Sequence, residues 1–127
     1  MLIELYDQSE IVRIDREARE EEQRKREEEQ RLREERRERY NNEVERTIAL
    51  TNVAQDYDLA CKIRAYISAL EIDKEIDEET AALIDWAKKK ADWFDPTISR
   101  TDELFGMREH EKDEDEKSLK KTRYSWW

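Results

Sequence analysis

The sequence predicts an all-α protein, with a long charged N-terminal helix running into a small antiparallel helical bundle and an irregular C-terminal arm. Three observations carry this. The 127 residues contain one Gly and one Pro, so there is almost no turn chemistry for hairpins or sheets. Charged residues make up 47% and hydrophobic residues 36%, against about 25% and about 45–50% in ordinary domains. The apolar residues recur at three- and four-residue spacing, the period of a helix face. This is the length of one modest domain with a small core and a large solvated surface.

The first helix opens near MLIELYDQSEIVRIDREA, with Asp7 or Ser9 as the cap. Ile11, Ile14 and Ala18 share one face, and with Leu2, Ile3, Leu5, Tyr6 and Val12 they form an apolar start that needs a partner. The next twenty residues cannot supply one. EEEQRKR (20–26) is followed by EEEQRLR (27–33), a seven-residue repeat of charge. Read as a coiled coil, one seam row is Ile11, Ala18, Lys25, Leu32 and Arg39, and the other is Ile14, Glu21, Glu28, Glu35 and Asn42. A working seam wants apolar residues in both rows, and the second is almost wholly polar.

Read as a self-supporting helix, the stretch places acids four residues before bases at Asp15–Arg19, Glu20–Arg24, Glu21–Lys25, Glu22–Arg26, Glu27–Arg31, Glu29–Arg33 and Glu35–Arg39. That orientation is the favourable one, and enough such pairs sustain a helix without tertiary contact. A solvated helix is therefore expected. At 1.5 Å per residue, Asp15–Arg39 would extend about 37 Å and act as a spacer.

At Tyr40 the pattern changes, because Tyr40, Val44 and Ile48 recur every four residues. Regularity loosens at TNVAQDYD, where Thr51, Asn52, Asp56 and Asp58 read as caps between two helices. A separate helix over 58–71 follows, then a polar link, then Asp77 as the cap of a helix over 78–94 that Pro96 must stop. The expected core is Val44, Ile48, Leu59, Ile63, Ile67, Leu70, Leu83, Trp86 and Phe94. The domain reading is a Glu/Arg-rich helix with its apolar start over 1–39, a bundle over 40–95, and an arm with a charged tail over 96–127. Residues 109–121 show no buried stripe and are expected to be mobile.

Charge and cysteine usage exclude several classes. The net charge is −10. Seventeen acids against seven bases between Glu71 and Glu116 account for the excess, while the repeat helix is nearly neutral. An acidic surface disfavours non-specific binding to nucleic acid or an anionic membrane. Cys61 is alone, which fits a reducing compartment. No apolar run approaches the roughly 20 residues that span a bilayer, and MLIELYDQSE is not a leader, so the cytoplasm is expected.

No catalytic, metal or cofactor set emerges. His110 in REHEK has no second histidine at zincin spacing and reads as a surface residue. Cys61, among Leu59, Ala60 and Ile63, reads as a small buried hydrophobe rather than a nucleophile. Glu78–Glu79 and Asp113–Glu116 lie in polar runs without the desolvated pocket an acid–base pair needs. With Gly106 as the only glycine, no phosphate-cradling loop can form.

Lys88, Lys89 and Lys90 beside Trp86 and Trp93 are the candidate for nucleic-acid contact, because bases stack on aromatics and cations grip the backbone. Helical spacing favours the other reading, with the Lys90 stem lying across the tryptophans. Trp126 and Trp127 are either a docking peptide or a plug for a groove on their own domain.

Ala54, Tyr57, Ala60, Ile63, Arg64, Ala65 and Tyr66, with the stretch WAKKKADWFDP from Trp86 to Pro96, carry a family likeness. Over residues 15–125 the chain resembles the C-terminal region of larger bacterial proteins of unassigned function. The resemblance implies no catalytic residues. It implies a chain without the N-terminal domain of its relatives, a truncated or internally initiated product. The resulting expectation is a non-enzymatic interaction or oligomerisation module, associating with itself or another protein through Leu5, Ile11 and Ile14, and through Trp126 and Trp127. The alternative is a nucleic-acid accessory protein acting through Lys88–Lys90.

Overall fold

The computed structural model describes residues 8–72 and 75–122. It is all-α, with a long helix, a second helix packed against it and a short third one: α1, Gln8–Ile72; α2, Glu78–Phe94; and α3, Glu114–Lys117. There is no strand among the described residues. The chain forms two compact units, Met1–Val44 and Glu45–Trp127.

In the first unit every described residue is exposed. Ion pairs on the helix surface join Asp15 to Arg19 at 2.7 Å, Glu22 to Arg26 at 3.4 Å and Glu29 to Arg33 at 3.7 Å, as the spacing predicts. Other expected pairs give way to different partners. Arg31 reaches both Glu28 and Glu35 instead of Glu27, and the Arg24 guanidinium donates to the Glu20 carbonyl at 3.4 Å. Gln23 and Gln30 donate to Glu27 and Glu34 one turn on.

In the second unit α2 runs antiparallel to the end of α1. Glu71 pairs with Lys88 at 3.1 Å, while Arg64, two turns earlier, reaches Asp92 at 3.1 Å and Asp95 at 2.6 Å. Between these ties lies the apolar cluster of Ile67, Ile84 and Ala87, flanked by Ile63 and Leu70. Asp77 caps α2 by accepting from the Thr80 amide at 2.7 Å. The helix stops at Phe94, since Asp95 ahead of Pro96 is extended, with φ −76° and ψ 113°.

Two expectations are corrected. No break divides α1 at TNVAQDYD, so no separate helix begins at 58. Asn52 and Asp56 are interior residues on its buried face, together with Ala60 and Ile67. These polar residues read as caps because their burial partners come from the distant arm. The core is also smaller and turned. Val44, Ile48, Leu59, Leu83 and Trp86 are exposed, whereas Ala60, Ile84, Ala87, Ala91 and Trp93 are buried. On α2 the buried row 84, 87, 91 lies one residue, about 100°, from the row expected. The narrow alanines face inward, and the broad Trp86 is left outside.

The turned core gives a sharp test. Ile84→Ala should cost about 2–4 kcal/mol in urea unfolding, as a cavity-forming truncation does. Leu83→Ala, one residue away and 41% exposed, should cost less than about 1 kcal/mol.

Candidate functional site

The most unusual feature of the second unit is a buried charge cluster around Asp56, which is 1% exposed. It is built by the arm that follows α2. Asp95 accepts from the Thr97 amide at 2.8 Å and hydroxyl at 2.6 Å, and its carbonyl accepts from Ser99 N at 2.7 Å. The chain then turns through Ser99, at φ 50°, and closes a tight loop from Asp102 to Gly106. Asp102 caps that loop from within, accepting from the Leu104 and Phe105 amides at 2.9 and 3.0 Å. Gly106 supplies the left-handed turn at φ 71°, and its carbonyl accepts from the Trp93 indole at 2.8 Å.

This loop delivers Arg108, whose guanidinium lies 5.2 Å from the Trp93 ring centre and 4.9 Å from that of Phe94. It donates to both oxygens of Asp56, at 2.8 and 3.1 Å. The Nδ1–H of His110 donates to the same carboxylate at 2.8 Å. Lys117 donates to Asp56 at 3.2 Å, to the His110 carbonyl at 3.0 Å and to the Asn52 carbonyl at 3.5 Å. Asn52 in turn donates to the Glu111 carbonyl at 3.0 Å.

His110 and Lys117 are each 8% exposed, so His110 is not a surface residue, and the charged run 109–121, expected to have no buried face, buries these two side chains. The signal was available on α1. Asn52 and Asp56 recur at four-residue spacing with the small apolar Ala60, and polar residues on such a face demand partners when it is buried.

Burial alone would push the Asp56 carboxyl up, but hydrogen bonds from Arg108, His110 and Lys117 outweigh it and hold the group below the usual carboxylate range. Asp95 behaves alike, with burial opposed by Thr97 and Arg64. Asp102 is lowered to about 2 by the hydrogen bond from Lys90, aided by the loop amides.

Asp56, His110 and Ser99 form a chain of contacts, with Ser99 Oγ 3.4 Å from His110 Nε2. This is a weak base for nucleophilic chemistry. The Ser99 hydroxyl donates to the Pro96 carbonyl at 3.0 Å, and the Asp56 charge is already shared with Arg108 and Lys117. A triad aspartate, by contrast, reserves its charge for the histidine. Nor is there, among the described residues, a group of three His, Cys, Asp or Glu that could hold a metal ion.

The residues predicted from sequence do not gather at this cluster. Ile11 and Ile14 stand exposed on α1, and Leu5, Trp126 and Trp127 lie outside the described residues. Lys88, Lys89 and Lys90 diverge, each to its own acid: Glu71 at 3.1 Å, Asp85 at 3.3 Å and Asp102. The Lys90 ammonium also lies 5.9 Å from the Trp86 ring centre and 4.2 Å from that of Phe105, so the contact expected with Trp86 forms, while Phe105 of the arm stands where Trp93 was expected.

Asp56→Asn should cost about 3–5 kcal/mol in urea unfolding, because it strands two buried cations. Asp58→Asn, at an exposed pair with Lys62, should change little. A lowered folded-state pKa means stability that is present above the unfolded carboxylate value, about 3.9, and is lost as pH falls below it. Circular dichroism melts should therefore show the Asp56 and Asp102 contributions intact at pH 6 and disappearing from about pH 4 towards pH 2. No family model, curated protein or solved structure matches the chain, so the role of the cluster is read from its geometry alone.

Proposed function

We propose that the protein is a non-enzymatic helical interaction module, which associates with a second copy or another protein through the apolar surface of its first unit. The carrying observation is the exposure of Ile11, Val12 and Ile14, at 55%, 61% and 59%, on a helix whose described residues all face solvent through Ile48. Ile11 and Ile14 share one helix face, and apolar residues so placed favour association, since burial stabilises at about 25 cal/mol per Å².

The second unit supports the same reading. Among the described residues, no buried side-chain nitrogen or oxygen lacks a hydrogen-bond partner, so the Asp56 cluster serves as an internal fastening. The two motif stretches contribute Ala60, Arg64, Asp92, Trp93 and Asp95, residues that hold α1, α2 and the arm together. The exposed, divergent placement of Lys88 and Lys89, each against a carboxylate, gives nucleic-acid contact less support. No helix among the described residues is long and apolar enough to cross a membrane.

Sedimentation velocity across a concentration series tests the proposal. Association should rise with concentration, survive added salt, and disappear in an Ile11→Ser/Ile14→Ser variant. A chain that stays monomeric at the highest concentration, with no partner required to keep it in solution, would overturn the self-association arm.

A further inference from the structure

Building on that reading, we infer that the partner is a second copy of the same helix, lying antiparallel so that Ile14 meets Leu32 and Glu21 meets Lys25. The two seam rows hold Ile11, Ala18, Lys25, Leu32 and Arg39 on one side and Ile14, Glu21, Glu28 and Glu35 on the other. Arg31 reaches both Glu28 and Glu35, so these seam acids are compensated within their own helix. The acids beside the seam, Asp15, Glu22 and Glu29, are likewise bridged to Arg19, Arg26 and Arg33. Among the described residues, neither Glu21 nor Lys25 belongs to an ion pair, although they stand one turn apart with the spacing to form one.

These two side chains decide the orientation. A parallel pair in register sets Glu21 against Glu21 and Lys25 against Lys25, like charge on like charge at the centre of the seam. Reversing one helix brings one row against the other. Glu21 then faces Lys25 of the second copy, twice by symmetry, and Ile14 faces Leu32 at both ends of the overlap. Ala18 falls opposite Glu28, and Ile11 opposite Glu35.

The register is fixed by the same residues. A slip of one repeat either way sets Ile14 against Lys25 or against Arg39, so of these three alignments only the first sets Ile14 against an apolar residue. Ile14 and Leu32 are 59% and 42% exposed, and both are free to be covered. With few apolar layers the pair is weak and reversible, and its charges serve mainly to choose orientation.

Cysteine cross-linking reads the orientation directly. In a Cys61→Ser background, Ala18→Cys and Glu28→Cys chains are oxidised separately and mixed, leaving Ile14, Glu21, Lys25 and Leu32 intact. The expected result is a disulfide dimer that forms in the mixture and links position 18 to position 28, with little dimer from either variant alone. A charge swap provides the second measurement. Glu21→Lys and Lys25→Glu should each weaken dimerisation several-fold, and the double variant should restore it.

Association accompanied by strong 18–18 and 28–28 links, or a swap that fails to restore, overturns the antiparallel assignment and leaves the interaction reading standing. An unmutated chain that stays monomeric with no cross-link in any combination overturns both.

Discussion

A single carboxylate with no route to water governs the second unit. Asp56 is held by three donors, Arg108, His110 and Lys117, spread over ten residues of the arm. None of these contacts is local, since each partner lies more than fifty residues along the chain. The carboxylate cannot be desolvated until the donors arrive, and Lys117 cannot be buried without its carboxylate. Docking of the arm is cooperative for that reason: a half-made cluster is worse than none. The Arg64 ties to Asp92 and Asp95 set the α2 terminus at the point from which the arm can reach back to α1.

The two units handle abundant charge in opposite ways. In the first, acids and bases pair along the helix surface in full contact with solvent, where each pair contributes little and the sum sustains a helix. In the second, a few charges are taken out of water and matched over long sequence distances, where each contact is energetically large in both directions. Aromatic rings mediate this second solution. Trp93 and Phe94 flank Arg108, and Trp86 and Phe105 flank the Lys90 ammonium, so these cations trade hydration for ring faces as well as for carboxylates.

What the sequence made legible was decided within about a turn of helix. The all-α class, the Asp77 cap, the stop before Pro96 and the position of Lys90 over Trp86 all follow from neighbours three or four residues apart. The Asp56 cluster was hidden because its partners are far along the chain, and because Asn52 and Asp56 carry the residue types of helix caps. His110 and Lys117 sit in a stretch where charge is the norm, so nothing in their own surroundings marks them as buried. The phase of α2 was lost for a related reason. Trp86 and Leu83 look like core by size, yet Ala87 and Ala91 occupy the inward face, where bulk would hold the helices apart.

The repeat EEEQRKR–EEEQRLR bears on how this protein can change over generations. Seven residues make almost two full turns, so gaining or losing one copy rotates the following helix by only about 20° while altering its extent by about 10.5 Å. Such a change would leave the heptad phase of the solvated helix itself nearly where it was. A buried helix could not absorb it, since its neighbours would fall out of step. A solvated helix whose ion pairs recur with the same period keeps that pairing when its length changes by a repeat, and what such a change would disturb is the register proposed between two copies.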